Sequence, residues 1–161
     1  MPDPDLLARG ERAGSLLKAR GETIGVAEGS CGGLISSALL AVRGASAYYR
    51  GGTVVYTFAA RKAFLGDVIE IPEGLRGATE EFAAYLARAV RTALEATWGV
   101  GEGGAAGPAN PYGDPAGHAW LAVAGPSVAT RHLLTGVDDR VANMHAFASA
   151  ALDLLIEQLE T

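Results

Sequence analysis

The chain has 161 residues, 49% of them hydrophobic and 19% charged, with a formal net charge of −5 at pH 7. That balance fits a chain that buries a core and excludes a disordered one. The acidic sign and the scattered Lys and Arg exclude a sequence-independent grip on nucleic acid, and no apolar run approaches the ~20 residues of a membrane span.

A single cysteine, Cys31, excludes an intrachain disulfide framework and a multi-Cys zinc site, and it suits a reducing compartment. The opening MPDPDLLARGER carries charges where a signal peptide is apolar. The expectation is one cytoplasmic domain over 1–161, with neither metal nor cofactor.

In chain order, Asp5 to Arg20 reads as a helix with Leu6, Leu7, Ala13, Leu16 and Leu17 near one face and Gly21 as its C-terminal cap. Thr23 to Ala27 reads as a buried strand, Glu28 to Gly32 as a turn, and Gly33 to Val42 as a helix launched from it. A strand, a Gly-rich turn and a helix point backbone N–H groups at whatever sits beside the turn. Gly51 to Thr57 reads as a second strand and Ala59 to Leu65 as a short helix ending at Gly66. Thr79 is an N-cap, with Glu80 and Glu81 in the first turn of a helix running to about Thr97. Its inner face is Phe82, Leu86, Ala89, Ala93 and Leu94.

Gly99 to Gly117 is rich in Gly and Pro and reads as a long irregular segment. His118 to Ala124 and Val128 to Leu134 read as an antiparallel pair. Asp138 and Asp139 open a last helix to about Leu159, with Val141, Phe147, Ala151, Leu154, Leu155 and Leu159 inward. Alternating helices and strands give an α/β class: one layered α/β/α domain with a mixed sheet.

The Gly-rich segments Glu28 to Gly33, Gly51-Gly52 and Gly104 to Gly107 are expected to converge beyond the strand ends, where open α/β sheets hold small molecules. GEGGAAGP lacks the Gly-Lys-Ser/Thr of a phosphate-binding P-loop, and GEGGAA leads into Pro108 rather than a helix. Ser30 is either a nucleophile or a turn hydroxyl. Glu28 is expected to anchor the turn by accepting backbone N–H bonds. Arg61 is suited to bidentate contact with a phosphate or carboxylate, or to a solvated helix position. Arg140 reaches either a phosphate or Asp138 and Asp139. His118 starts a strand near the pocket; His118, His132 and His145 share no metal-ligand spacing.

The segments AEGSCGG (27–33), GASAYYRGGTVVYTFAARKAFLG (44–66), GGAAGP (103–108), DPAGHAW (114–120) and DDR (138–140) come in order at matching spacing. In that order they resemble the CinA (competence/damage-inducible) C-terminal domain family over nearly the whole chain. The resemblance implies nicotinamide mononucleotide deamidation by a Ser–Lys pair with a nearby Tyr, the Gly-rich turn holding the oxyanion. It also implies self-association.

The resemblance carries departures. Aligned without gaps, the family's Ser falls on Gly29 and its Lys on Arg61, while its Tyr stays as Tyr56. The Asn and Glu of the family's YSNEAK motif become Phe58 and Ala59, and the Ser or Thr before GIAGP becomes Gly103. Lys and Thr of a later motif become Asp114 and His118. Arg140 is kept, but a second Arg becomes Met144. A guanidinium keeps its proton at neutral pH, so Arg cannot serve as the base. The resemblance therefore implies a catalytically degenerate member, with a nucleotide or other small molecule held by Gly29, Cys31, Gly32, Gly33, Arg61, Gly104, Gly107, His118 and Arg140. Two alternatives stand beside it. One is an active amidohydrolase using the shifted pair Ser30 and Lys62 with Tyr56, although one residue turns a helical side chain by ~100°. The other is a structural or interaction role without a ligand.

Overall fold

The computed structural model describes residues 1–161. Helix α1 spans Pro4–Arg20, capped by Asp3, whose carboxylate accepts from Leu6 N–H at 2.8 Å, and closed by Gly21. Strand β1 (Ile24–Glu28), helix α2 (Leu34–Leu40) and strand β2 (Tyr49–Val54) form a parallel crossover. Helices α3 (Phe58–Leu65) and α4 (Glu80–Ala93) follow, each capped by a threonine, Thr57 and Thr79. Strands β3 (Trp98–Ala105), β4 (His118–Ala124) and β5 (Val128–Leu134) and helix α5 (Arg140–Glu160) complete the chain.

The sheet order is β2-β1-β3-β4-β5. β1 runs parallel to β2 and β3, and β4 runs antiparallel to β3 and β5. The sheet is mixed and the class is α/β. α1, α2 and α5 cover one face over a core of Leu6, Leu17, Ile24, Ile35, Tyr48, Phe147 and Leu155. On the other face Phe82, Tyr85 and Leu86 of α4 pack with Leu65 of α3 and Ala27 of the sheet. No helix is long and apolar enough to cross a membrane.

Three expectations are corrected. The irregular segment from Gly99 begins as the central strand β3, so Gly104 lies in a strand. Glycines weaken a strand in isolation; here they let α4 touch the sheet. A Cβ on Gly99 would stand 2.0 Å from Ala87 O, and one on Gly101 2.2 Å from Ala83 O. α4 stops at Ala93 instead of Thr97, followed by Glu95 at φ 49°, and Ala93 is exposed. Val141 and Leu7 are exposed rather than inward, because α5 and α1 each meet the core along a narrower stripe.

Candidate functional site

Three adjoining cavities of about 220, 240 and 210 Å³ open at the C-terminal ends of β1, β2 and β3. The first two share Val55, Tyr56, Gly77, Phe82 and Tyr112; the second and third share Ser30, Tyr56, Gly104 and Asn110. They form one cleft with Tyr56 at every stage. This is where an open α/β sheet presents its loops to a ligand. Gly51 and Gly52 do not join it: they lie inside β2, and Gly52 lines a separate hollow with Phe64 and Leu94.

The floor is the turn after β1, shaped by two buried glutamates. Glu28 ends β1 and turns its carboxylate onto the start of α2. It accepts from the N–H groups of Gly33 (3.0 Å), Ile35 (3.0 Å) and Ser36 (2.8 Å) and from the Ser36 hydroxyl (2.6 Å). Gly33, the N-cap, has no side chain to do this, so Glu28 caps the helix from the strand. Gly32 and Gly33 take φ values of 62° and 100°, a conformation that residues with a Cβ rarely adopt.

Glu102, from the neighbouring strand β3, holds the other half of the turn. Its carboxylate accepts from Gly29 N–H at 2.9 Å, Cys31 N–H at 2.9 Å and the Ser30 hydroxyl. Both glutamates are fully buried. Burial pushes both carboxyls above the usual range, while the donated hydrogen bonds pull them down. Within 29–33 only the Ser30 N–H lacks a protein acceptor, since Gly32 N–H donates to Gly29 O. The turn therefore keeps a single backbone donor, that of Ser30, without a protein acceptor.

Position 29 borders the middle cavity with no side chain, and its Cβ would meet Glu102 O at 3.2 Å. Ser30 is 6% exposed and borders two of the cavities, but its hydroxyl is spent on Glu102. Cys31 is fully buried and lines none of them. Burial first, then the carboxylates of Glu102 and Glu28, push its thiol well above the usual range, so it rests protonated. Gly32 and Gly33 set the backbone path without reaching the cleft.

At one end stands Arg61 of α3, 4% exposed, its guanidinium 4.5 Å from the Phe58 ring centroid and 5.7 Å from that of Phe82. Its Nε is buried with no acceptor. Lys62 is exposed and lines no part of the cleft, because the next helical position turns away. Arg76 lines the same end. It donates to Asp114 Oδ2 at 2.7 Å and lies 4.8 Å from the Tyr112 ring centroid. The Arg76 guanidinium, and after it the Asn110 amide, hold the Asp114 carboxyl below its usual range. Asn110 accepts from Tyr112 N–H and Asp114 N–H, which folds Tyr112 over the cleft.

At the other end Arg140 donates to Gly107 O and, at 3.0 Å, to the hydroxyl of Tyr56, which is 63% exposed. It pairs with neither Asp138 nor Asp139. Asn143 of α5 donates to Ala106 O at 2.7 Å and fixes the strand-to-loop exit beside Gly107. His118 lines none of the three cavities. Its Nε2 donates to Ala78 O at 2.8 Å, so its Nδ1 accepts from His132 Nε2 at 2.9 Å.

The fold thus brings Gly29, Ser30, Tyr56, Arg61, Gly104, Gly107 and Arg140 to one cleft and leaves Cys31, Gly32, Gly33, Lys62 and His118 outside it. Sequence reasoning missed Glu102, Arg76, Asn110 and Tyr112. A lone carboxylate in the glycine run WGVGEGGA was the signal for Glu102; Arg76 left none.

A model of the CinA C-terminal domain matches residues 8–159. A CinA-like protein of Salinibacter ruber is 43% identical over 145 residues, covering 87% of this chain and 34% of that protein. One from Nostoc is 34% identical, covering 92% and 38%. The chain spans little more than a third of these relatives' length. Among solved structures, the competence/damage inducible protein CihA from Agrobacterium tumefaciens aligns with a TM-score of 0.88 at 27% identity, covering 100% of this chain and 99% of that one. A CinA superfamily protein from Klebsiella pneumoniae aligns at 0.88 with 25% identity, covering 96% and 98%. With the sequence match spanning nearly every residue and the same fold throughout, the chain belongs to the CinA C-terminal domain family.

Proposed function

We propose that this chain is a catalytically degenerate family member that keeps the cleft as a binding site for a small, nucleotide-class molecule. The observation that carries the reading is the pair of positions facing the cleft where the family places its Ser and Lys: Gly29 offers a hydrogen atom and Arg61 a permanent cation. Ser30 does not replace the lost hydroxyl without giving up its bond to Glu102, and Lys62 stands outside. Binding is supported by the length of the three joined cavities, by the rings of Tyr56, Phe82 and Tyr112, and by arginines at both ends.

Loss of a nucleophile or its base slows such reactions by roughly 10⁴-fold or more. Incubated with nicotinamide mononucleotide, the protein is expected to release ammonia no faster than Ser30→Ala or buffer alone. Turnover abolished by Ser30→Ala would establish the shifted Ser30/Lys62 pair and sink this reading. In parallel, a thermal-shift series with nicotinamide mononucleotide and other nucleotides is expected to raise the melting temperature with at least one of them. A flat series would leave only a structural role.

A further inference from the structure

We propose that the Arg61 end of the cleft is a receptor for a planar aromatic carboxylate; the proposal rests on reading the cleft as a binding site and names what its deep end selects. Arg61 is a buried guanidinium whose Nε has no acceptor and which has no carboxylate within ion-pair reach. A buried charge without a partner is costly, and a site that keeps one is built for an opposite charge that arrives with a ligand. The neighbouring protein groups that face it are rings, Phe58, Phe82 and, at 6.0 Å, Tyr85. None of them takes a hydrogen bond from the guanidinium, whose Nε stays unpaired. The fork of N–H donors on a guanidinium matches the two oxygens of a carboxylate.

Charge and lining narrow the class. Arg76 is the second cation at this end, and Asp114 already neutralises it at 2.7 Å. One net positive charge remains, which matches a monoanion better than a phosphate monoester carrying about −1.5 to −2. Val55, Phe58, Leu75, Phe82 and Tyr112 supply most of the remaining wall, with Tyr56, Thr57 and Gly77. These walls suit a ligand with a flat apolar body.

The test is calorimetric titration of the full chain with benzoate, its neutral isostere benzamide, acetate and inorganic phosphate at matched ionic strength. Benzoate is expected to bind at least tenfold more tightly than benzamide and acetate. Arg61→Met, shown to be folded by circular dichroism, is expected to abolish the preference for benzoate over benzamide. Arg61→Lys, which keeps the charge but not the planar fork, is expected to reduce it. Equal binding of benzoate and benzamide, or a preference that survives Arg61→Met, overturns the proposal. Phosphate binding more tightly than benzoate also overturns it in favour of a phosphate subsite. If nicotinamide mononucleotide or another nucleotide binds and benzoate does not, this proposal alone fails; if nothing binds, the reading of the cleft fails with it.

Discussion

Glu102→Ala is expected to lose about 3 kcal/mol of stability, lowering the melting temperature by roughly 6–12 °C. The carboxylate is the only partner recorded for Cys31 N–H and for the Ser30 hydroxyl, and it shares Gly29 N–H with the Glu102 carbonyl. Alanine leaves buried donors without acceptors and opens a cavity under the turn. Glu102→Gln separates those effects from charge. Its amide oxygen still accepts from the two backbone donors, and the Ser30 hydroxyl reverses to accept from the amide NH₂.

The glutamine variant also isolates the pH dependence. Burial raises the Glu102 carboxyl above its ordinary value of 4.5 in the folded chain. A carboxyl raised in this way stabilises the fold most below its unfolded value, and that contribution is lost as pH rises through the folded value. Wild type should therefore lose stability relative to Glu102→Gln as pH climbs from about 4, below the ordinary carboxyl value, into the neutral range. Asp114, whose carboxyl is held below its usual value, contributes with the opposite sign, but it is present in both proteins and cancels. Urea melts of the three proteins across that range check both claims. A Glu102→Ala protein as stable as wild type would show that the turn holds its shape without the carboxylate.

The legible parts of this fold were those where local chemistry and tertiary structure agree. Thr79 caps its helix by the bond that its position suggests, Gly21 closes α1, Asp139 opens α5, and His118–Ala124 pairs with Val128–Leu134 along its full length. β3 was hidden because its residues are chosen for what α4 needs, closeness, rather than for what an isolated strand needs. The cleft was half legible for a related reason. Motif order placed positions 29, 56, 61 and 140 around it, but the groups that give those positions their present chemistry come from distant segments. Glu102 controls the turn from 73 residues away, and Asp114 neutralises Arg76 across 38. No window of sequence contains such pairs. The same distance explains why Ser30 and Lys62 look interchangeable with their neighbours on paper and stand in different surroundings in the fold.

Arg61→Met tests whether the buried cation serves binding or folding. A guanidinium held without a hydrogen-bonded partner costs several kcal/mol of lost hydration, offset in part by about 1 kcal/mol from the Phe58 ring. Methionine fills a similar volume among Phe58, Phe82 and Tyr85 and carries no charge. The variant is expected to be more stable than wild type by about 1–3 kcal/mol, or roughly 3–10 °C in melting temperature. Stability given up at a ligand site is a common signature of function. Saturating benzoate should then narrow or reverse the order, because a ligand that binds only the native wild type stabilises only the wild type. If Arg61→Met instead melts several degrees lower without ligand, the guanidinium is a packing element of α3 against α4. Position 61 would then serve the packing of the fold rather than a ligand.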